Sequence, residues 1–157
     1  MAVALQAGNL VWTKVKKHLA NSSPATQGAF KALREYLVSQ KGNPDLQLFT
    51  FSEAEADAND GTGLLSGAST IYAFYAKHEH ATATAATTKL FESATVDTTS
   101  TEQSLSLPTA AVDQETFQIY PNGWAQVTGI TVTQHTTIEG SSDASLGADG
   151  FVLIGAA

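Results

Sequence analysis

The chain has no cysteine among its 157 residues, which excludes a disulfide-stapled scaffold, thiolate catalysis and cysteine-ligated metals. It is also short of charge. Asp, Glu, Lys and Arg make up 15% of it, where about a quarter is usual. Thr, Ala and Ser fill the gap, a composition that suits exposed β-structure better than a helical bundle. No apolar run approaches the ~20 residues of a membrane-spanning helix. At the N-terminus Lys14, Lys16 and Lys17 follow the apolar stretch, the reverse of secretory-signal order, so the chain reads as made and kept soluble. Catalytic signatures are missing as well: there is no Gly-x-Ser-x-Gly, no phosphate-cradling glycine loop and no His-Glu-x-x-His. Ser, His and Asp match no triad spacing, and no two carboxylates stand out as an acid/base couple. The expectation is a protein that is not an enzyme and holds no cofactor.

What charge there is falls unevenly. Residues 1–41 carry Lys14, Lys16, Lys17, Lys31, Arg34 and Lys41 against Glu35 alone. Residues 42–157 carry Lys77 and Lys89 against the remaining carboxylates, and the whole chain has a formal net charge of −7. A basic segment joined to an acidic body suggests an arm with an acidic partner, and the acidic total argues against nucleic acid as that partner. An apolar fraction of 43% supports a real core. The chain is read as an N-terminal arm and helix over 1–45 followed by a β-body over 46–157.

Val11, Val15 and Leu19 recur at helical spacing; the alternative is an extended arm with Leu10 and Trp12 on one face. Ser23 then Pro24 is a helix entry, and Lys41-Gly42 followed by Pro44 is a stop, so a helix is predicted over about 24–40. Strands are predicted at Leu46–Phe51, Ile71–Ala76, Lys89–Glu92, Ser104–Leu107 (stopped by Pro108), Glu115–Tyr120 and Phe151–Ile154. Pro121-Asn122-Gly123 is strong turn chemistry. It is predicted to open a long central strand, Asn122–Gln134, bent by a β-bulge where the apolar alternation changes phase at Gly129. Strands without a βαβ rhythm predict a mainly β fold, an antiparallel β-sandwich or jelly-roll-like body with an N-terminal arm and one helix.

Ile71–Ala76 is apolar on both parities, as in a strand buried on both faces or lying across a subunit contact. With the apolar C-terminal strand, it offers more hydrophobic surface than one thin helix covers, which predicts a closed oligomer. Three further features are weighed and set aside. The acidic stretch Glu53–Asp60 resembles part of a calcium loop but lacks its closing Glu. His78 and His80 share one side of a strand but need further ligands to hold zinc or nickel. Tyr72, Tyr120 and Trp124 are candidates for stacking on sugar, yet aromatics in sandwich strands are more often core.

The block from Ile71 to the end resembles small virion structural proteins of tailed bacteriophages. The resemblance rests on Tyr72-Ala73-Phe74-Tyr75-Ala76-Lys77 and an Ala/Thr-rich stretch into Lys89-Leu90-Phe91-Glu92. It continues through Asn122-Gly123-Trp124-Ala125, Thr128-Gly129-Ile130-Thr131-Val132-Thr133 and Asp149-Gly150-Phe151-Val152-Leu153-Ile154-Gly155. It implies a β-sandwich on the capsid surface, usually trimeric, that cements neighbouring capsomers. The expected partners are then the major capsid protein and other copies of the chain (a homotrimer), with no nucleic acid and no membrane. The expected location is the virion, after synthesis in the host cytoplasm. Val11, Trp12, Lys14, Val15, Lys16, Lys17 and Leu19 are the expected lattice contacts, the apolar residues supplying the hold and the lysines the steering. The alternative is a carbohydrate-binding or receptor-binding β-sandwich of a phage tail or fibre.

Overall fold

A computed structural model describes residues 8–42, 45–51, 62–77, 86–92, 105–109, 114–135 and 149–156. Among the described residues the fold is mainly β, with antiparallel sheets and two helices. Helices α1 (Gly8–His18) and α2 (Pro24–Lys41) precede eight strands: β1 (Leu46–Phe51), β2 (Thr62–Ser66), β3 (Ser69–Lys77), β4 (Ala86–Phe91), β5 (Leu105–Thr109), β6 (Glu115–Gln126), β7 (Gly129–His135) and β8 (Asp149–Gly155).

α2 begins and ends where its sequence says. Ser23 sits in extended conformation and its Oγ accepts from the Thr26 N–H at 3.2 Å, with Pro24 in the first helical turn. Gly42 closes the helix in the left-handed region at φ 68° and donates its N–H to the Leu37 carbonyl, a conformation that only Gly adopts at little cost. The open alternative for the N-terminal segment resolves as a helix, because Val11, Val15 and Leu19 form a stripe with something to bury it. Gln27 ties the two helices together: its Nε2 donates to the carbonyls of Leu19 at 2.9 Å and Ser22 at 3.2 Å in the turn between them.

The strands form two four-stranded sheets of order β1-β8-β3-β6 and β2-β7-β4-β5. Within them β1 pairs with β8, β2 with β7, β3 with β6 and β4 with β5, all antiparallel. The pairings nest, first strand with last and inward, so the chain is one long hairpin rolled over and split between two layers. Phe51, Ile71, Phe74, Ala76, Val152 and Ile154 from the first sheet meet Leu90, Ile130 and Val132 from the second in the inter-sheet core.

The other face of the first sheet is covered by the helices. Val11, Trp12, Val15 and Leu19 of the α1 segment, with Phe30, Leu33 and Leu37 of α2, pack on Leu46, Ala73, Tyr75, Phe151 and Leu153. The molecule is therefore three layers deep, and β3 and β8, central in the middle layer, are buried on both faces. That is why Ile71–Ala76 and Phe151–Ile154 are apolar at every position. A bulge at Tyr72 adjusts the phase: Ile71 pairs with Ile154 but Ala73 with Leu153, which sends Ile71, Phe74 and Ala76 inward and Ala73 and Tyr75 toward the helices.

Three expectations are corrected. Pro121-Asn122-Gly123 is no hairpin turn but lies inside β6, an edge strand of its sheet, where Ile71 pairs with Trp124 and Ala73 with Ile119. The intervening β6 residues bulge out opposite Tyr72, with Gly123 at φ 82°, so the turn chemistry serves a bulge. The predicted central strand Asn122–Gln134 is two strands in different sheets: β6 ends at Gln126, and β7 begins at Gly129 with φ 149°. The phase change at Gly129 marks the crossing between layers. Both faces of Ile71–Ala76 pack within the chain, one on the second sheet and one on the helices. Pro108 falls inside β5, which is also an edge strand, where a missing N–H is tolerated.

Candidate functional site: a cationic groove in the helical layer

The charge asymmetry of the sequence becomes a geometric one. Both helices lie on one side of the first sheet, so the basic residues of 1–41 line one face of the molecule. Lys14, Lys16, Lys17, Lys31, Arg34 and Lys41 are all exposed there, with Glu35 as the one carboxylate of that segment. The expected lattice contacts divide accordingly. Lys14, Lys16 and Lys17 point outward, whereas Val11, Trp12, Val15 and Leu19 are at most 5% exposed and belong to the core. Those apolar side chains pack the helix on its own sheet.

Between α1 and α2 runs a groove of about 450 Å³. Trp12, Val15, Leu19 and Phe30 form its apolar part, and Lys16, Lys31 and Arg34 its charged part; no carboxylate is among the lining residues. The indole Nε1 of Trp12 is buried and has no hydrogen-bond partner among the described residues. A buried donor without an acceptor is costly, about 1–3 kcal/mol, and is uncommon in folded proteins.

The groove is positioned by a polar latch at the start of α2. Glu115, at the start of β6, accepts from the Thr26 hydroxyl at 2.6 Å, the Ser23 backbone N–H at 3.0 Å and the Tyr75 hydroxyl at 2.7 Å. Ser22 Oγ lies 3.1 Å from that Tyr75 hydroxyl. Partial burial alone would raise the Glu115 pKa, but the hydrogen bonds from Thr26, Ser23, Tyr75 and Ser22 outweigh it and hold the carboxyl down at about 2. The negative charge also sits at a helix N-terminus, where the peptide dipoles favour it. Sequence reasoning missed this residue, because nothing local to Glu115 announces a partner helix 89 residues away. Elsewhere burial lowers the Lys89 pKa and raises that of Tyr120.

The other candidates scatter. Tyr72 packs on the helical side of the first sheet, while Tyr120 and Trp124 pack against the inter-sheet core with ring centroids 5.1 Å apart; the three make no common platform. Gly129 serves the crossing between sheets. His18 is exposed at the end of α1 with its ring 5.7 Å from that of Phe151. The acidic stretch Glu53–Asp60, His78 and His80 lie outside the described residues. Among the described residues no cluster of three potential metal ligands occurs, and no helix is long and apolar enough to cross a membrane. Comparison of the chain with protein-family models, curated proteins and solved structures gives no match.

Proposed function

We propose that this is a non-enzymatic structural protein of a tailed-bacteriophage virion, one that adds to the capsid surface as an oligomer and stabilises the lattice. The observation that carries the reading is the segregation of charge: a rigid helical face with six exposed cations on a chain whose net charge is −7. Such a face suits adhesion to an acidic surface of a larger assembly, because complementary potentials steer encounter and fix register. The nested strand order supports the reading too, since it suits a jelly roll, an architecture used by viral capsid proteins and also by lectins. Architecture alone does not assign function, and the resemblance of residues 71–157 to small virion proteins supplies the direction.

The test is addition of the purified protein to decoration-free capsids of the phage that encodes it. Saturable incorporation, with a rise in the capsid's melting temperature, is expected; no incorporation at micromolar protein overturns the reading. A receptor- or carbohydrate-binding role in a tail or fibre is the second reading, favoured by the half-buried Tyr120–Trp124 pair on the edge strand β6. Glycan-array binding lost on Trp124→Ala, without loss of folding, would establish it instead.

A further inference from the structure

We infer that the groove between α1 and α2 is the docking site for an acidic peptide segment of the assembly partner, one apolar side chain of which enters the groove with carboxylates on either side. The inference rests on the virion reading for the identity of the partner, and on the groove itself for its chemistry.

Shape sets the first limit. About 450 Å³ is within the range of pockets that take a compact ligand or a few side chains, and it is too small for a folded element. The apolar part, Trp12, Val15, Leu19 and Phe30, calls for a hydrophobic anchor. Lys16, Lys31 and Arg34, with no carboxylate among the lining residues, call for negative charge beside that anchor. Trp12 lines the groove and its buried Nε1 has no acceptor among the described residues, so the indole N–H reports on what enters.

Competing occupants fit less well. A nucleic acid offers phosphates in extended rows, and a chain of net charge −7 gains little from them. A bilayer surface needs apolar side chains turned outward, but the exposed large hydrophobics among the described residues are Val38 and Val127, on α2 and in the β6–β7 turn. A free carboxylate amphiphile shares the chemistry of the peptide, and the experiment separates the two.

The full-length protein is titrated with three probes: a synthetic peptide of Leu and Trp flanked by Asp and Glu, the same peptide with Lys replacing the acids, and dodecanoate. The readout is the indole N–H resonance of Trp12 in ¹⁵N-resolved NMR. The chain has two tryptophans, so Trp124→Phe assigns it. The acidic peptide is expected to shift this resonance saturably and the basic one to leave it in place. K16Q/K31Q/R34Q should weaken binding about tenfold, since exposed charges contribute modestly each. K17Q/K41Q, a charge change away from the groove, should weaken it less than about twofold. Thermal melting of each variant verifies that it is folded. No shift, equal response to both peptides, or response to dodecanoate alone overturns the inference. The same variants are then added to decoration-free capsids. If wild type and groove variant incorporate equally, the groove inference falls and the virion reading stands. If wild type fails to incorporate, the virion reading falls whatever the peptide does.

Discussion

Replacing Glu115 by Gln tests how the helical layer is fastened to the sheet. The carboxylate accepts from Thr26 and Ser23 at the start of α2 and from Tyr75 on β3, so it joins helix, middle strand and edge strand at one point. Its pKa falls from 4.5 to about 2 on folding. Counted in full, that drop corresponds to about 3 kcal/mol at ~1.4 kcal/mol per pKa unit. The group is only partly buried, however, and water screens it, so about 1–2 kcal/mol is the expected contribution. The sign follows from the direction of the shift: a depressed carboxyl stabilises the fold above its unfolded pKa, and the contribution is lost as pH falls from about 4.5 to about 2. Urea unfolding followed by far-ultraviolet circular dichroism measures it. Glu115→Gln should lose about 1–2 kcal/mol at pH 7, and its deficit relative to wild type should shrink steadily below about pH 4. A variant as stable as wild type at pH 7, or a deficit unchanged at about pH 2.5, would refute the latch.

Three other substitutions follow from the packing. Gly150→Ala on β8 would put a Cβ onto the Tyr75 carbonyl oxygen and 2.6 Å from Phe51 Cζ, so a loss of about 3 kcal/mol or insoluble expression is expected, read as melting temperature. Gly129→Val places a β-branched residue at φ 149° where the chain crosses between sheets, and should cost about 1–2 kcal/mol in urea unfolding. Leu37→Ala opens a cavity at a fully buried site in the helix–sheet core and should cost about 2–5 kcal/mol by the same assay.

Local signals were legible and non-local ones were not. The Ser23-Pro24 entry and the Gly42 exit of α2 are read from a few neighbouring residues, as is the alternation of Leu46–Phe51, and all three stand where the sequence puts them. β2, Thr62–Ser66, went unrecognised, because Asp60-Gly61-Thr62-Gly63 reads as a loop and the partner that makes Thr62–Ser66 a strand is β7, far along the chain. Pro121-Asn122-Gly123 misled for the opposite reason. Residues that tolerate positive φ suit bulges as well as hairpin turns, and only the pairing with β3 decides which one forms. Glu115 carried no local signal at all.

The same limit explains the candidate site. A strand apolar on both parities reports that both its faces are covered, but not by what. Read beside one thin helix, Ile71–Ala76 suggested a neighbouring copy; with α1 added, the chain covers its own sheet. Val11, Trp12, Val15, Leu19, Phe30, Leu33 and Leu37 are buried in that contact, and at about 1.5–3 kcal/mol gross for each large apolar side chain they far exceed the 0.2–1 kcal/mol or so of an exposed ion pair. The stripe that resembled an adhesive is therefore the helix's own attachment. What the helical face leaves for a partner is its six exposed cations and one groove between α1 and α2. On the docking proposal, the hydrophobic part of the contact comes from the partner, whose apolar side chain enters that groove.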